Sequence, residues 1–333
     1  MSRNKKLLLW TIPVLCLMYL AGPREQFDNN GFSAMAATQF SGNPENLMKR
    51  LDGDNDLIKA GNESKIIWAD TLTKAKTGKV ILYLHGFSAS PQEGLEFATT
   101  IGKKWGCNVY LPRLAQHGLK DVDAFQTLTP EGYIQSAKEA MDFCSMLGDS
   151  IILMSCSTGT TLGLILAARG EPVYAHFMYS PNIEINDKSA GLLLWPWGKQ
   201  MGKLVLGSEY HQVEYTEEQS RYWYDKYHMN GIIALQTLLE EYMTPECFAK
   251  INHPIFLAYY FRDEDHQDDV VSVKAMEKMF EQVSTPDSLK QKIAFPQAET
   301  HMIISPMFSK QMEDIEEATL SFGEKKLGLA VVR

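Results

Sequence analysis

Apolar and polar positions alternate along this chain in two different periods. Continuous apolar runs bounded by turn residues occur at Lys79–Leu84, Asn108–Leu111, Ser150–Met154, Val173–Tyr179, Pro254–Phe261 and Lys290–Phe295. Runs of this kind suit strands covered on both faces. Between them lie segments with helical spacing, at Gln92–Lys104, Thr129–Leu147 and Thr158–Ala168, and Pro306–Phe322 closes the series. Thr129-Pro130-Glu131 is a good helix start, because Thr can cap and Pro fits the first turn. Lys65–Ala69 reads as a short additional strand and Pro44–Leu51 as a short helix. Strands alternating with helices predict an α/β fold with a doubly wound, mostly parallel sheet.

The stretch 181–252 departs from this alternation. It carries helix-like segments without a clear strand, and holds Trp195, Trp197, Tyr215, Tyr222, Trp223, Tyr224 and Tyr227. Placed between two sheet strands, it reads as a helical cap inserted into a core formed by 61–180 and 253–325. An aromatic roof suits acyl chains or aryl groups, so Trp195, Trp197 and Trp223 are candidate substrate contacts.

The N-terminus has a third pattern. Arg3, Lys5 and Lys6 precede an apolar run from Leu7 to Ala21, the order of an export signal or anchor over residues 1–25. The run is shorter than the roughly 20 residues that span a bilayer comfortably. Its positive flank predicts that the body is exported, periplasmic or otherwise extracytoplasmic, with membrane association through this segment. Residues 26–60 read as a tether.

Composition narrows the partners. A formal net charge of -9 argues against nucleic acid, since phosphate binding needs a basic stripe. The five cysteines include no C-x-x-C pair, and no His/Asp cluster has ligand spacing, so neither a metal nor another cofactor is expected. The cysteines outside the signal segment read as buried free thiols.

The sharpest chemical signal is Ser155-Cys156-Ser157-Thr158-Gly159, between an apolar strand and a helical run. A serine nucleophile must sit on a very tight strand-to-helix turn, which needs small residues two positions to either side. The helix that follows aims its N-terminus at developing negative charge. A second element, Leu84-His85-Gly86-Phe87-Ser88, follows an earlier strand. His301 follows the last strand, and Asp263, Asp265, Asp268 and Asp269 follow the strand before it.

With these ordered elements the chain resembles the α/β-hydrolase family over roughly residues 65–320. HGFSASPQEG and LPRLAQHG look like its carboxylesterase and monoacylglycerol-lipase branch. The family pattern is G-x-S-x-G, and Ser155 stands in place of the first glycine. The resemblance implies Ser157 as nucleophile, His301 as base and Asp268 as acid, with Asp265 in reserve. It implies an oxyanion hole from the N–H groups of Phe87 and Thr158, with His85 and Gly86 beside the substrate. Arg113 and His117 read as structural or rim groups. The expected reaction is cleavage of a small-molecule or lipid carboxylic ester through an acyl-enzyme. Thioesterase, peptidase or acyltransferase activity on the same fold, and a non-catalytic binding protein, stay open.

Overall fold

The computed structural model describes residues 17–24 and 41–332. The basic residues and most of the apolar run of the N-terminal segment, and much of the tether, lie outside the described residues. Among the described residues no helix is long and apolar enough to cross a membrane.

Helix α1 (Pro44–Asp52) is capped by the Asn43 side chain and carries Pro at its first turn. Strands β1 (Lys65–Ile67), β2 (Val80–Leu84), β3 (Asn108–Leu111), β4 (Ile151–Cys156), β5 (Ala175–Tyr179), β8 (Ile255–Tyr259) and β11 (Lys290–Ala294) form one sheet, ordered β1-β3-β2-β4-β5-β8-β11. Every neighbouring pair is parallel except β1 with β3. Every residue of β2, β3, β5 and β8 is buried. That is why their sequences are continuous apolar runs: both faces of the sheet are covered.

The covering helices are α2 (Leu95–Trp105), α3 (Pro130–Phe143), α4 (Thr158–Ala168), α7 (Val273–Gln282) and α8 (Met312–Leu327). Helix α4 is buried from Thr158 to Leu166, and its sequence, TGTTLGLILAA, is small or apolar all round, as a helix enclosed on every side must be. Helix α2 starts later than the periodicity indicates. Ser90 caps a 3₁₀ turn, Pro91–Gly94, and the α-helix begins only at Leu95. Helix α8 is also displaced, because residues 302–311 are turns and loop. The four cysteines among the described residues are free and buried.

The inserted segment contains α5 (Gly198–Leu206) and α6 (Met229–Tyr242), together with a short hairpin, β6 (Tyr210–Gln212) paired to β7 (Lys226–His228). The hairpin corrects the expectation of a strand-free insertion. Its strands are three residues long and mostly exposed or half-buried on β6, so they carry no readable period. Helix α6 places Ala234 and Leu238 in the same apolar cluster as Leu82, Leu153 and Leu162. This part of the insertion therefore packs into the body.

Candidate active site

The turn between β4 and α4 holds Ser157 at φ 50° and ψ -121°, a positive φ that side chains rarely adopt. Neighbouring strands hold this geometry. The Ser157 N–H donates to the Tyr179 carbonyl at 3.0 Å, and the Ser157 carbonyl accepts from the N–H groups of Thr160 (2.9 Å) and Asn182 (3.1 Å). Gly159 is required by proximity: a Cβ there would lie 2.0 Å from the Leu84 carbonyl oxygen at the end of β2. Ser155 fits because its side chain has partners. Its Oγ lies 2.8 Å from Thr160 Oγ1 and 2.7 Å from His176 Nε2, all of them buried.

His301 is delivered by the loop after β11 and is 7% exposed. Its Nδ1–H donates to Asp268 Oδ2 at 2.6 Å. Asp268 follows a small exposed hairpin, β9 (Phe261–Asp263) and β10 (His266–Gln267). Its Oδ1 accepts from the N–H groups of Val270 (3.0 Å) and Val271 (3.1 Å), so both oxygens are engaged and the carboxylate is fixed. Asp265 lies on the exposed hairpin, where its N–H donates to Asp263. The geometry brings Asp268 to His301 and leaves the reserve candidate in solvent.

Burial disfavours the charged form of His301. The charge of Asp268 and its hydrogen bond outweigh this and hold the imidazole above the ordinary histidine value. Among the described residues the buried His301 Nε2 has no hydrogen-bond partner, and Ser157 and His301 line the same cavity. An unpaired imidazole nitrogen of this kind can take a proton from a hydroxyl beside it.

Phe87 and Thr158 line that cavity too. Gly86 packs against the serine: a Cβ on it would come within 3.2 Å of Ser157 Cβ. The Phe87 ring packs on Phe125 and Tyr227, which anchors the loop to the insertion.

His85 is a correction. Both its nitrogens are used inside the protein. Nε2 accepts from the Leu114 N–H at 3.1 Å, leaving Nδ1 to donate to the Gly86 carbonyl at 2.9 Å. Burial pushes its pKa down to about 4, so it is a neutral structural pin that cannot reach a substrate. Its neighbour His117 is likewise fully buried, against Tyr133 and the Ala115 carbonyl. Arg113 hydrogen-bonds the Asp52 and His117 carbonyls and belongs to the support of the loop.

The cavity measures about 940 Å³ and is lined mainly by apolar groups. Leu192, Leu193, Met201, Val205, Ile232 and Leu235 form its aliphatic wall, and Tyr215, Trp223 and Tyr227 its aromatic one. Trp195 and the buried Trp223 line it. Trp197 does not. Its indole lies across Gly22, its Nε1–H donates to the Met18 carbonyl and its N–H to the Pro23 carbonyl. It ties residues 17–24 to the insertion, and Tyr19 from that segment reaches the cavity. Glu93, a cavity residue with no motif to mark it, is also buried beside Gly86.

No family model and no curated protein matches this sequence. Solved structures do. A structure reported with LipS and LipT, two metagenome-derived lipolytic enzymes, superposes with a TM-score of 0.62 at 16% identity, covering 80% of this chain and 98% of that one. The chain has the α/β-hydrolase fold. At this identity the likeness is one of fold. Est1E from Butyrivibrio proteoclasticus with bound ferulic acid aligns with a TM-score of 0.53 at 14% identity, over 80% of this chain and 95% of that one. A soluble variant of monoglyceride lipase from Saccharomyces cerevisiae, in complex with a substrate analog, aligns at 0.54 and 12%, over 80% and 90%.

Proposed function

We propose that this protein is a serine hydrolase of carboxylic esters, acting through an acyl-enzyme on Ser157. The observation that carries the reading is the pairing of the strained Ser157 turn with a buried His301 whose Nδ1 is held by Asp268 and whose Nε2 is unpaired. His301 takes the Ser157 proton as Oγ attacks the ester carbonyl, and Asp268 stabilises the imidazolium that forms. The Phe87 and Thr158 N–H groups, with the N-terminus of α4, stabilise the oxyanion. His301 returns the proton to the leaving alkoxide. Water then releases the acid by the same route.

The large apolar cavity supports esters with extended acyl or aryl groups, because a pocket near the upper end of the usual ~300–1,000 Å³ range holds more than a short acid. The esterases and lipases of like fold agree with such substrates. A panel of p-nitrophenyl esters from two to sixteen acyl carbons tests this. The reading expects hydrolysis with kcat/KM highest at medium or long chains. Absence of turnover across the panel by folded protein contradicts it.

For the N-terminal segment we propose export, with residues 1–21 holding the body at a membrane surface. Support comes from the basic-then-apolar order, from the exposed side chains of Leu17, Met18 and Leu20, with the Met18 carbonyl bonded to Trp197, and from the exposed Leu204 and Val205 of α5. Cell fractionation tests it: the full chain sediments with membranes and a variant lacking residues 2–21 stays soluble inside the cell. Equal distribution of the two contradicts it.

A further inference from the structure

The site contains a second buried carboxyl group that the triad does not use. Glu93 sits in the 3₁₀ turn before α2, 2% exposed, and lines the cavity with Ser157 and His301. Its Oε2 accepts two hydrogen bonds, from the Gly86 N–H at 2.9 Å and the Tyr83 hydroxyl at 2.7 Å. Its Oε1 lies 3.0 Å from the point where a Cβ on Gly86 would stand, and Ser157 Cβ lies 3.2 Å from that same point. Carboxylate and nucleophile thus both close on the space where a Gly86 side chain would stand.

A buried carboxyl is costly unless it is paired or hydrogen-bonded. Burial raises the pKa of Glu93, while Tyr83, the Gly86 N–H and the Cys156 thiol favour its ionised form. The cation it faces is His301 when protonated. Tyr83 on β2 and Cys156 at the end of β4 lie against it, and Tyr133 of α3 and Tyr215 of the insertion also feel its charge. His301 in turn faces Asp268, Glu93 and Asp269.

We propose that Glu93 is a positioning residue: its carboxylate pins the oxyanion loop at Gly86 against Ser157 and supplies negative charge that favours the protonated form of His301. The role in the loop deepens the ester-hydrolase reading and rests on it. The effect on His301 is independent of any substrate. During acyl transfer two carboxylates then stabilise the imidazolium, Asp268 through its hydrogen bond and Glu93 through its charge.

The test uses full-length protein labelled with ¹³C-histidine, following the His301 ring resonance against pH in the parent, Glu93→Gln and Glu93→Asp, with kcat and KM for a p-nitrophenyl ester measured beside it. Gln keeps the shape and removes the charge. Asp keeps the charge and withdraws it from Gly86. The proposal expects His301 to titrate at lower pH in Glu93→Gln and close to the parent in Glu93→Asp. It expects kcat to fall on the order of tenfold in both, with KM changed less than about twofold. An unchanged His301 titration in Glu93→Gln overturns it. Should Glu93→Gln fail to fold, Glu93→Asp decides: parental kcat overturns the loop role, and lowered kcat at parental KM supports it. A parent without ester turnover sinks the hydrolase reading alone, and the titration still decides the charge.

Discussion

Ser155 Oγ lies 2.7 Å from Nε2 of the buried His176, so the residue standing where the α/β-hydrolase pattern has glycine is tied to the next strand of the sheet. A glycine at this position would serve the tight turn. A serine serves it and also satisfies a buried histidine nitrogen and the Thr160 hydroxyl. The departure from the pattern is therefore a compensated one.

Ser155→Gly is accordingly expected to destabilise the protein although it restores the common motif. It leaves His176 Nε2 and Thr160 without their partner and adds a flexible residue to the unfolded chain, a loss of about 1–3 kcal/mol. Thermal unfolding should show a melting temperature lower by roughly 1–5 °C. A melting temperature equal to the parent's or higher contradicts the compensation.

Gly159→Ala is expected to be far worse. A methyl group 2.0 Å from the Leu84 carbonyl cannot be accommodated without moving β2 or α4, both of which are enclosed. The cost should exceed about 4 kcal/mol. Soluble yield and urea unfolding check this, and near-parental stability would show that the turn is looser than described.

Asp268 and Asp265 separate cleanly. Asp268→Asn removes the acceptor that fixes the His301 tautomer, and kcat should fall by about 10³–10⁴. Asp265→Asn alters an exposed hairpin and should leave kcat within about twofold of the parent. Steady-state kinetics of the two variants decide which acid serves the site.

The pH dependence follows from the same pair. The proposed base His301 acts in its neutral form, and Asp268 raises its pKa above the ordinary value near 6.5. Activity is present above that raised pKa and is lost as pH falls through it. The acid limb of kcat/KM should therefore have its midpoint above 6.5. Asp268→Asn withdraws the negative charge that favours the imidazolium, so its residual activity should carry a midpoint at lower pH. A midpoint that stays in place removes Asp268 as the cause.

Much of this was legible in the sequence, and the physical reasons are specific. Strands β2, β4, β5 and β8 are covered on both faces, and an apolar run such as VILYL or IFLAY has few other uses in a folded chain. The Ser157 turn was legible because a tight elbow restricts its flanks to small residues. The choice between Asp265 and Asp268 was not, since both follow β8 and only the hairpin at 261–267 sends one into solvent. Trp197 resembled its neighbour Trp195 in sequence, but its indole is drawn to residues 18–23, a contact across more than 170 positions. Glu93 was hidden in a helix-like stretch, and its partner Gly86 becomes visible only once the 3₁₀ turn folds back on β2.

The proposed chemistry makes Ser157 an activated nucleophile with His301 as its base. Labelling full-length protein with a fluorophosphonate probe, followed by mass spectrometry of the adduct, tests it directly beside Ser157→Ala and His301→Ala. An activated Ser157 gives a single adduct on Ser157 in the parent, none in Ser157→Ala, and a labelling rate lowered by about 10⁴ or more in His301→Ala. An adduct on another residue, or a folded parent that does not react, contradicts it.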